Sequence, residues 1–297
     1  MKNLPRAASF LLLAFAATLS AQDWAKARLE ASPRHREYVP LKHGDRTVQA
    51  LVVYPEVKGK ATTVILIHEI FGLSDWAKEM ADELAGAGFI VIAPDLLSGK
   101  GPNGGGSDAL SSQDDRVKAV SALDPAGVLA DLDAAADYGM KLPASNGKIA
   151  VAGFCWGGSK SFAFAAHRKD LGAAFVFYGT APEDVSTVTA PVYGFYGGND
   201  ARVGATIPAT TAAMKAAGKT YDPVTYDGAG HGFMRAGEDP GNTLPGNKTA
   251  RDQGFERLVK LLKQMRSGST RLGTRGETPA ASQAAVCHDS ANPAATM

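Results

Sequence analysis

The chain is 297 residues long and 45% hydrophobic, with 31 Lys and Arg against 30 Asp and Glu. That length holds one large α/β domain or two small ones. Near-neutral charge, with no Lys/Arg cluster interleaved with aromatics, excludes an electrostatic footprint for nucleic acid, and no pair among the scattered histidines has zinc-ligand spacing.

Residues 1–21 read as a signal peptide. Lys2 and Arg6 supply a basic start, Ala7 to Leu19 are mostly apolar, and Ser20 and Ala21 offer small residues for cleavage before Gln22. The apolar stretch is too short and alanine-rich for a stable membrane span, so a periplasmic or secreted address is expected. Residues 22–35 form an N-terminal extension. Strand and helix patterns then alternate over 36–266 without an interior linker, which favours one catalytic domain. Residues 267–297, rich in Ser, Thr, Gly, Ala and Pro, show no apolar periodicity and read as a disordered tail that holds Cys287.

Within 36–266 the segments 36–41 and 47–54 read as antiparallel strands joined by a His43-Gly44-Asp45 turn. The apolar run 62–68 is a strand buried on both faces. Ser74 caps a helix through about 87, and 89–93 is the next strand. The stretch 94–112 reads as a flexible, glycine-rich rim; no Lys-Ser/Thr follows its glycines, so it is no phosphate loop. Helices are expected over 113–122 and 125–138, strands over 149–153, 173–178, 192–196 and 224–226, and helices over 159–166, 208–217 and 250–265. The alternation predicts an α/β fold, a mostly parallel sheet with helices on both faces.

The chemistry concentrates where these strands end. Gly153-Phe154-Cys155-Trp156-Gly157-Gly158 follows an apolar run, breaks at a glycine, presents one residue and enters a helix. That is the nucleophile elbow G-x-S-x-G of α/β-hydrolases with cysteine in the serine position. Side chains at Gly153 and Gly157 would collide with so tight a turn, and the helix N-terminus behind Cys155 is expected to favour a thiolate. Asp200 follows the strand Val192 to Tyr196 in a Gly-Gly-Asn-Asp turn, and His231 follows Val224 to Tyr226 in a Gly-His-Gly-Phe loop. Nucleophile, acid and histidine thus come in the chain order of this fold, each beyond the carboxyl end of a strand. Alone, such an aspartate is a turn former and such a histidine is solvated; together they point to a triad.

His68-Glu69-Ile70-Phe71-Gly72-Leu73 occupies the loop that supplies part of the oxyanion hole in this fold. With this motif beside the elbow, the Gly-Gly-Asn-Asp turn and the Gly-His-Gly-Phe loop, residues 36–266 resemble the dienelactone hydrolase (carboxymethylenebutenolidase) family. The resemblance implies Cys155 as nucleophile, His231 as base and Asp200 as its orienter. Glu69 would be the family glutamate that contacts the resting thiol and helps deprotonate it; the bland reading is a buried structural carboxylate. Backbone N–H groups of Ile70 and Trp156 would form the oxyanion hole. Arg235, four residues past His231, matches an arginine used for the substrate carboxylate, and Arg116 lies in the region of a second. Either arginine could equally form a surface ion pair.

A thiolate leaves readily, so a tetrahedral adduct on sulfur goes forward only when the departing group leaves more readily still. Enol lactones, aryl esters and thioesters meet that condition, whereas alkyl esters and amides do not. The expected partner is therefore a small ester or lactone, anionic where the arginines are used, with no cofactor and no metal. A broader aryl-esterase or thioesterase with the same triad, and a silent binding protein of the same fold, are the alternatives.

Overall fold

The computed structural model describes residues 22–266. The signal-peptide reading of 1–21, the tail 267–297 and Cys287 lie outside the described residues.

Helix α1 (Asp23–Ala31) opens this region, followed by the hairpin β1 (Arg36–His43) and β2 (Arg46–Val53). Then come β3 (Ala61–Ile67), α2 (Asp75–Gly86), β4 (Ile90–Pro94), α3 (Gln113–Ser121), α4 (Pro125–Lys141), β5 (Ser145–Phe154) and α5 (Trp156–His167). The remainder is β6 (Ala173–Phe177), β7 (Val192–Gly197), α6 (Ala201–Gly204), α7 (Ile207–Ala216), β8 (Tyr221–Tyr226), α8 (Phe233–Ala236) and α9 (Pro245–Arg266). The strands form one sheet in the order β1-β2-β4-β3-β5-β6-β7-β8. The pairs β1/β2 and β2/β4 are antiparallel, and the others are parallel.

Alternation along the central strands decides which layer each side chain joins. In β3, Val64 and Leu66 point to one core with Trp76 of α2 and Leu258 of α9. Ile65 and Ile67 point to the other, with Leu132 of α4 and Phe162 of α5. Residue pairs in β5 and β6 divide the same way, so both faces are covered, as the uninterrupted apolar runs predict. Ser74 caps α2 by accepting from the Ala77 N–H at 3.4 Å, and Asp124 caps α4 by accepting from Gly127 at 2.7 Å.

Three departures from the sequence reading have local causes. Strand β8 starts at Tyr221, not 224, because it lies at the sheet edge, where Pro223 forfeits no ladder bond needed by a neighbour. The stretch 94–112 is anchored, not a flexible rim. The Asp95 carboxylate accepts from the N–H and hydroxyl of Ser107 at 2.7 and 2.6 Å, and the Ser107 hydroxyl accepts from the Leu73 N–H at 2.9 Å. The extension 22–35 carries α1, whose Ala25 is fully buried against α2; Gln22 accepts from the Trp76 N–H at 3.0 Å and Ser32 donates to Asp82 at 2.7 Å.

Strand order reverses direction between β3 and β5, the crevice where open α/β sheets hold their ligands. The residues just past β3, β5, β6, β7 and β8 all meet there.

Candidate active site

The elbow is a strained turn. Cys155 has φ 57° and ψ −116°, a region an L residue occupies only when its surroundings enforce it. Those surroundings are backbone. A Cβ on Gly153 would strike the carbonyl of Gly157, and one on Gly157 would strike the carbonyls of Ile67 and His68. Only glycine lets α5 start flush against the ends of β5 and β3. The Cys155 N–H donates to the Phe177 carbonyl at 3.0 Å, tying the turn to β6.

The three sequence-predicted partners converge. His231 Nε2 lies 3.0 Å from Cys155 Sγ, and His231 Nδ1 lies 2.5 Å from Asp200 Oδ2. Asp200 also caps α6, its Oδ1 accepting from the Val203 N–H at 3.3 Å, so the carboxylate is held from two sides. With the carboxylate as acceptor, the imidazole carries its proton on Nδ1 and presents a lone pair at Nε2 to the thiol. The Tyr178 ring stands edge-on to His231, centroids 5.0 Å apart, and limits its tilt.

Glu69 is 3% exposed and stands near the start of the loop after β3. Its Oε2 accepts from Arg235 Nε at 2.8 Å, and its Oε1 accepts from the Tyr178 hydroxyl at 3.4 Å. Burial and the neighbouring Glu69 keep the Tyr178 phenol well above its ordinary pKa, so it remains a donor. The glutamate therefore reaches the thiol by its charge while its oxygens serve Arg235 and Tyr178. Arg235 lies on α8 with its guanidinium 5.3 Å from the centre of the Phe71 ring. The arginine that the resemblance assigns to a substrate carboxylate is thus paired through Nε with Glu69.

The thiol corrects one expectation. Burial and the charge of Glu69 push the Cys155 pKa up, and this outweighs the N–H groups of Trp156 and Ile70, which pull it down. The same two N–H groups face Sγ, where the sequence reading put the oxyanion hole. Arg202, exposed on α6, also lowers the thiol pKa through its charge, and sequence reasoning missed it. Its position two residues past Asp200 was the available signal. Arg116 donates from Nε and Nη2 to the carbonyls of Ser107 and Leu110 at 3.1 and 3.3 Å, bracing the 94–112 segment.

Among the described residues, one carboxylate group has the spacing to hold a cation: Glu79, Glu83 and Glu238. Two guanidiniums already occupy it. Arg251 binds Glu238 at 2.7 Å and also Glu83, and Arg28 binds Glu238 at 3.4 Å.

A family model described as "Dienelactone hydrolase family" matches residues 48–266. A carboxymethylenebutenolidase of Pseudomonas putida is 32% identical over 202 residues, covering 64% of this chain and 81% of that protein. A Methylorubrum extorquens protein assigned as a carboxymethylenebutenolidase is 33% identical over 209 residues, 66% of this chain and 70% of its own length. A crystal structure of a Klebsiella pneumoniae protein assigned as a dienelactone hydrolase superposes with TM-score 0.67 at 26% identity, over 78% of this chain and 99% of that one.

Proposed function

The chain belongs to the dienelactone hydrolase family, and on that premise we propose that it hydrolyses an activated ester or enol lactone through Cys155, His231 and Asp200. The observation that carries this is the unbroken relay at the elbow, Sγ to Nε2 at 3.0 Å and Nδ1 to Oδ2 at 2.5 Å. Sulfur attacks the carbonyl carbon while its proton passes to a base. The tetrahedral oxygen takes the N–H groups of Ile70 and Trp156. Collapse breaks the bond to the departing oxygen, which leaves as an enolate or phenolate or takes a proton from His231. Water, deprotonated by His231, then attacks the thioester; the acid departs and the thiol is restored.

The raised thiol pKa makes the first proton transfer the demanding one at rest. A substrate carboxylate that takes Arg235 would release Glu69 from its ion pair and turn it into the base for Cys155. Anionic lactones would then activate the thiol by binding. Export through residues 1–21 belongs to the same proposal, on the basic, apolar and small-residue pattern described above.

A panel of dienelactones, aryl esters and thioesters, assayed before and after alkylation of Cys155, tests this reading. Turnover lost on alkylation is expected, with preference for acidic leaving groups. Turnover that survives alkylation overturns the nucleophile. A reactive thiol with no turnover of any panel member moves the silent binding protein ahead.

A further inference from the structure

His68 is fully buried, outside the triad, and unexplained by packing alone. Its Nδ1 lies 2.7 Å from the carbonyl oxygen of Glu69, while its Nε2 has no hydrogen-bond partner. A carbonyl only accepts, so the proton sits on Nδ1 and the orphaned Nε2 is the bare acceptor. Burial lowers the His68 pKa, which keeps the ring neutral in this tautomer. An unpartnered buried nitrogen costs free energy that a leucine or phenylalanine of similar bulk would not.

The Glu69 carbonyl and the Ile70 N–H belong to one peptide unit. That unit is planar and trans, so its C=O and N–H point in opposite directions and turn together. A donor that fixes the carbonyl therefore fixes the N–H, and this N–H faces Cys155 Sγ. The same imidazole stacks on the Trp156 ring, centroids 5.7 Å apart and planes 13° apart. Trp156 supplies the other N–H at the thiol. One side chain thus contacts the peptide that carries the first N–H and the residue that carries the second. The Gly72 N–H also reaches the Glu69 carbonyl, at 3.2 Å, but the imidazole is the closer donor.

We propose that His68 is a positioning residue that aims the Ile70 N–H at the reacting sulfur and carbonyl oxygen by clamping the Glu69–Ile70 peptide from behind. The inference rests on the acyl-transfer reading of the site. Hydrogen bonding at the carbonyl also polarises the peptide and strengthens its N–H as a donor. A donor that swings away is lost to the transition state while substrate binding through side chains is kept.

Two variants separate the hydrogen bond from the ring. His68→Phe keeps a flat ring against Trp156 and removes the donor. His68→Asn removes the ring but places an amide nitrogen at the same number of bonds from the backbone as Nδ1. With an aryl ester, His68→Phe is expected to lose about tenfold to a hundredfold in kcat with KM within about twofold. His68→Asn is expected to return to within about threefold of the parent in kcat. The rate of Cys155 alkylation against pH reads the same peptide without any turnover. Its midpoint rises in His68→Phe and falls back in His68→Asn, against the unchanged background of Glu69, Tyr178, His231 and Arg202. Equal impairment in both variants, or no change in His68→Phe, overturns the proposal. If the phenylalanine variant does not melt cooperatively, His68→Gln, whose amide sits one bond too far out, replaces it in both measurements. An absence of turnover in the parent defeats the hydrolase reading alone, since the alkylation series still decides the clamp.

Discussion

Two buried clusters set glutamates against arginines in this molecule, and they are built to different accounts of charge. At the carboxyl end of the sheet, a single Glu69 faces a single Arg235, with Tyr178 donating to the remaining oxygen. On the layer formed by α1, α2 and α9, three carboxylates, Glu79, Glu83 and Glu238, face Arg28 and Arg251. The first pair is balanced, one anion to one cation. The second is one negative charge in excess if every group ionises. Burial and the nearby Glu238 push the Glu79 pKa up to about 9, and its Oε2 accepts no hydrogen bond. The cluster resolves its excess by holding a proton. It also joins α1 through Arg28, α2 through Glu79 and Glu83, and α9 through Arg251, which is a structural task. Similar residues thus stand beside a thiol on a strained turn in one place and form a joint in the other.

The sharpest separation comes from Cys155→Ala. It should cost at least about a thousandfold in turnover while leaving the melting temperature nearly unchanged, because only a sulfur is removed. Near-full activity in the folded variant would erase the distinction between the two clusters.

Removing each arginine comes next. Arg235→Ala and Arg251→Ala both strand buried carboxylates, and each should lower stability by about 3 kcal/mol in chemical denaturation. Only Arg235→Ala should change catalysis. For an anionic lactone, kcat/KM should fall about tenfold to a hundredfold, while a neutral aryl ester, which has no carboxylate to lose and meets a Glu69 already released, should lose much less. Equal losses on both substrates would make Arg235 a structural residue like Arg251.

Glu79→Gln should act in the opposite direction on stability. The folded pKa of about 9 stands above the value near 4.5 of a free glutamate, so the fold retains a proton that the unfolded chain has released. The contribution of this group to stability is then fullest below pH 4.5 and declines as pH rises toward 9. Replacing the acid with an amide should add about 1–3 kcal/mol at pH 8 and flatten that decline, with activity unchanged. A parent melting temperature that rises from pH 5 to pH 8 through this group would refute the proton-sharing account.

The smallest effects concern the thiol itself. Glu69→Gln should lower the pH midpoint of Cys155 alkylation, because the charge that raises it is gone. Arg202→Ala should move the midpoint the other way and by less, since its guanidinium is exposed and screened.

The sequence by itself determined the strands of the sheet and the three side chains, Cys155, Asp200 and His231, that the fold brings together at the elbow. Apolar runs such as 62–68 and 149–153, bounded by turn residues, read as strands covered on both faces, and a glycine on each side of Cys155 marks a turn that nothing larger can make. Asp200 and His231 were legible because each stands just past such a run. These are local patterns, of continuous apolar runs and of steric exclusion, and a single stretch of chain displays them.

Tertiary structure decided everything that depends on which distant groups share a space. That Glu69 binds Arg235 across 166 residues, and that Arg116 braces a loop, follows from packing that no local pattern encodes. The direction of the thiol pKa was misread for the same reason: the helix N-terminus is written next to Cys155, but its burial and the charge of Glu69 are not. The proton shared near Glu79 has this origin too, since its three carboxylates come from α2 and from the segment between α8 and α9. Helix α1 was hidden because Ala25 gains its burial by packing on α2, some fifty residues further along the chain. Short-range sterics and periodicity survive in sequence, whereas electrostatics fall with distance in space, and only the fold sets that distance.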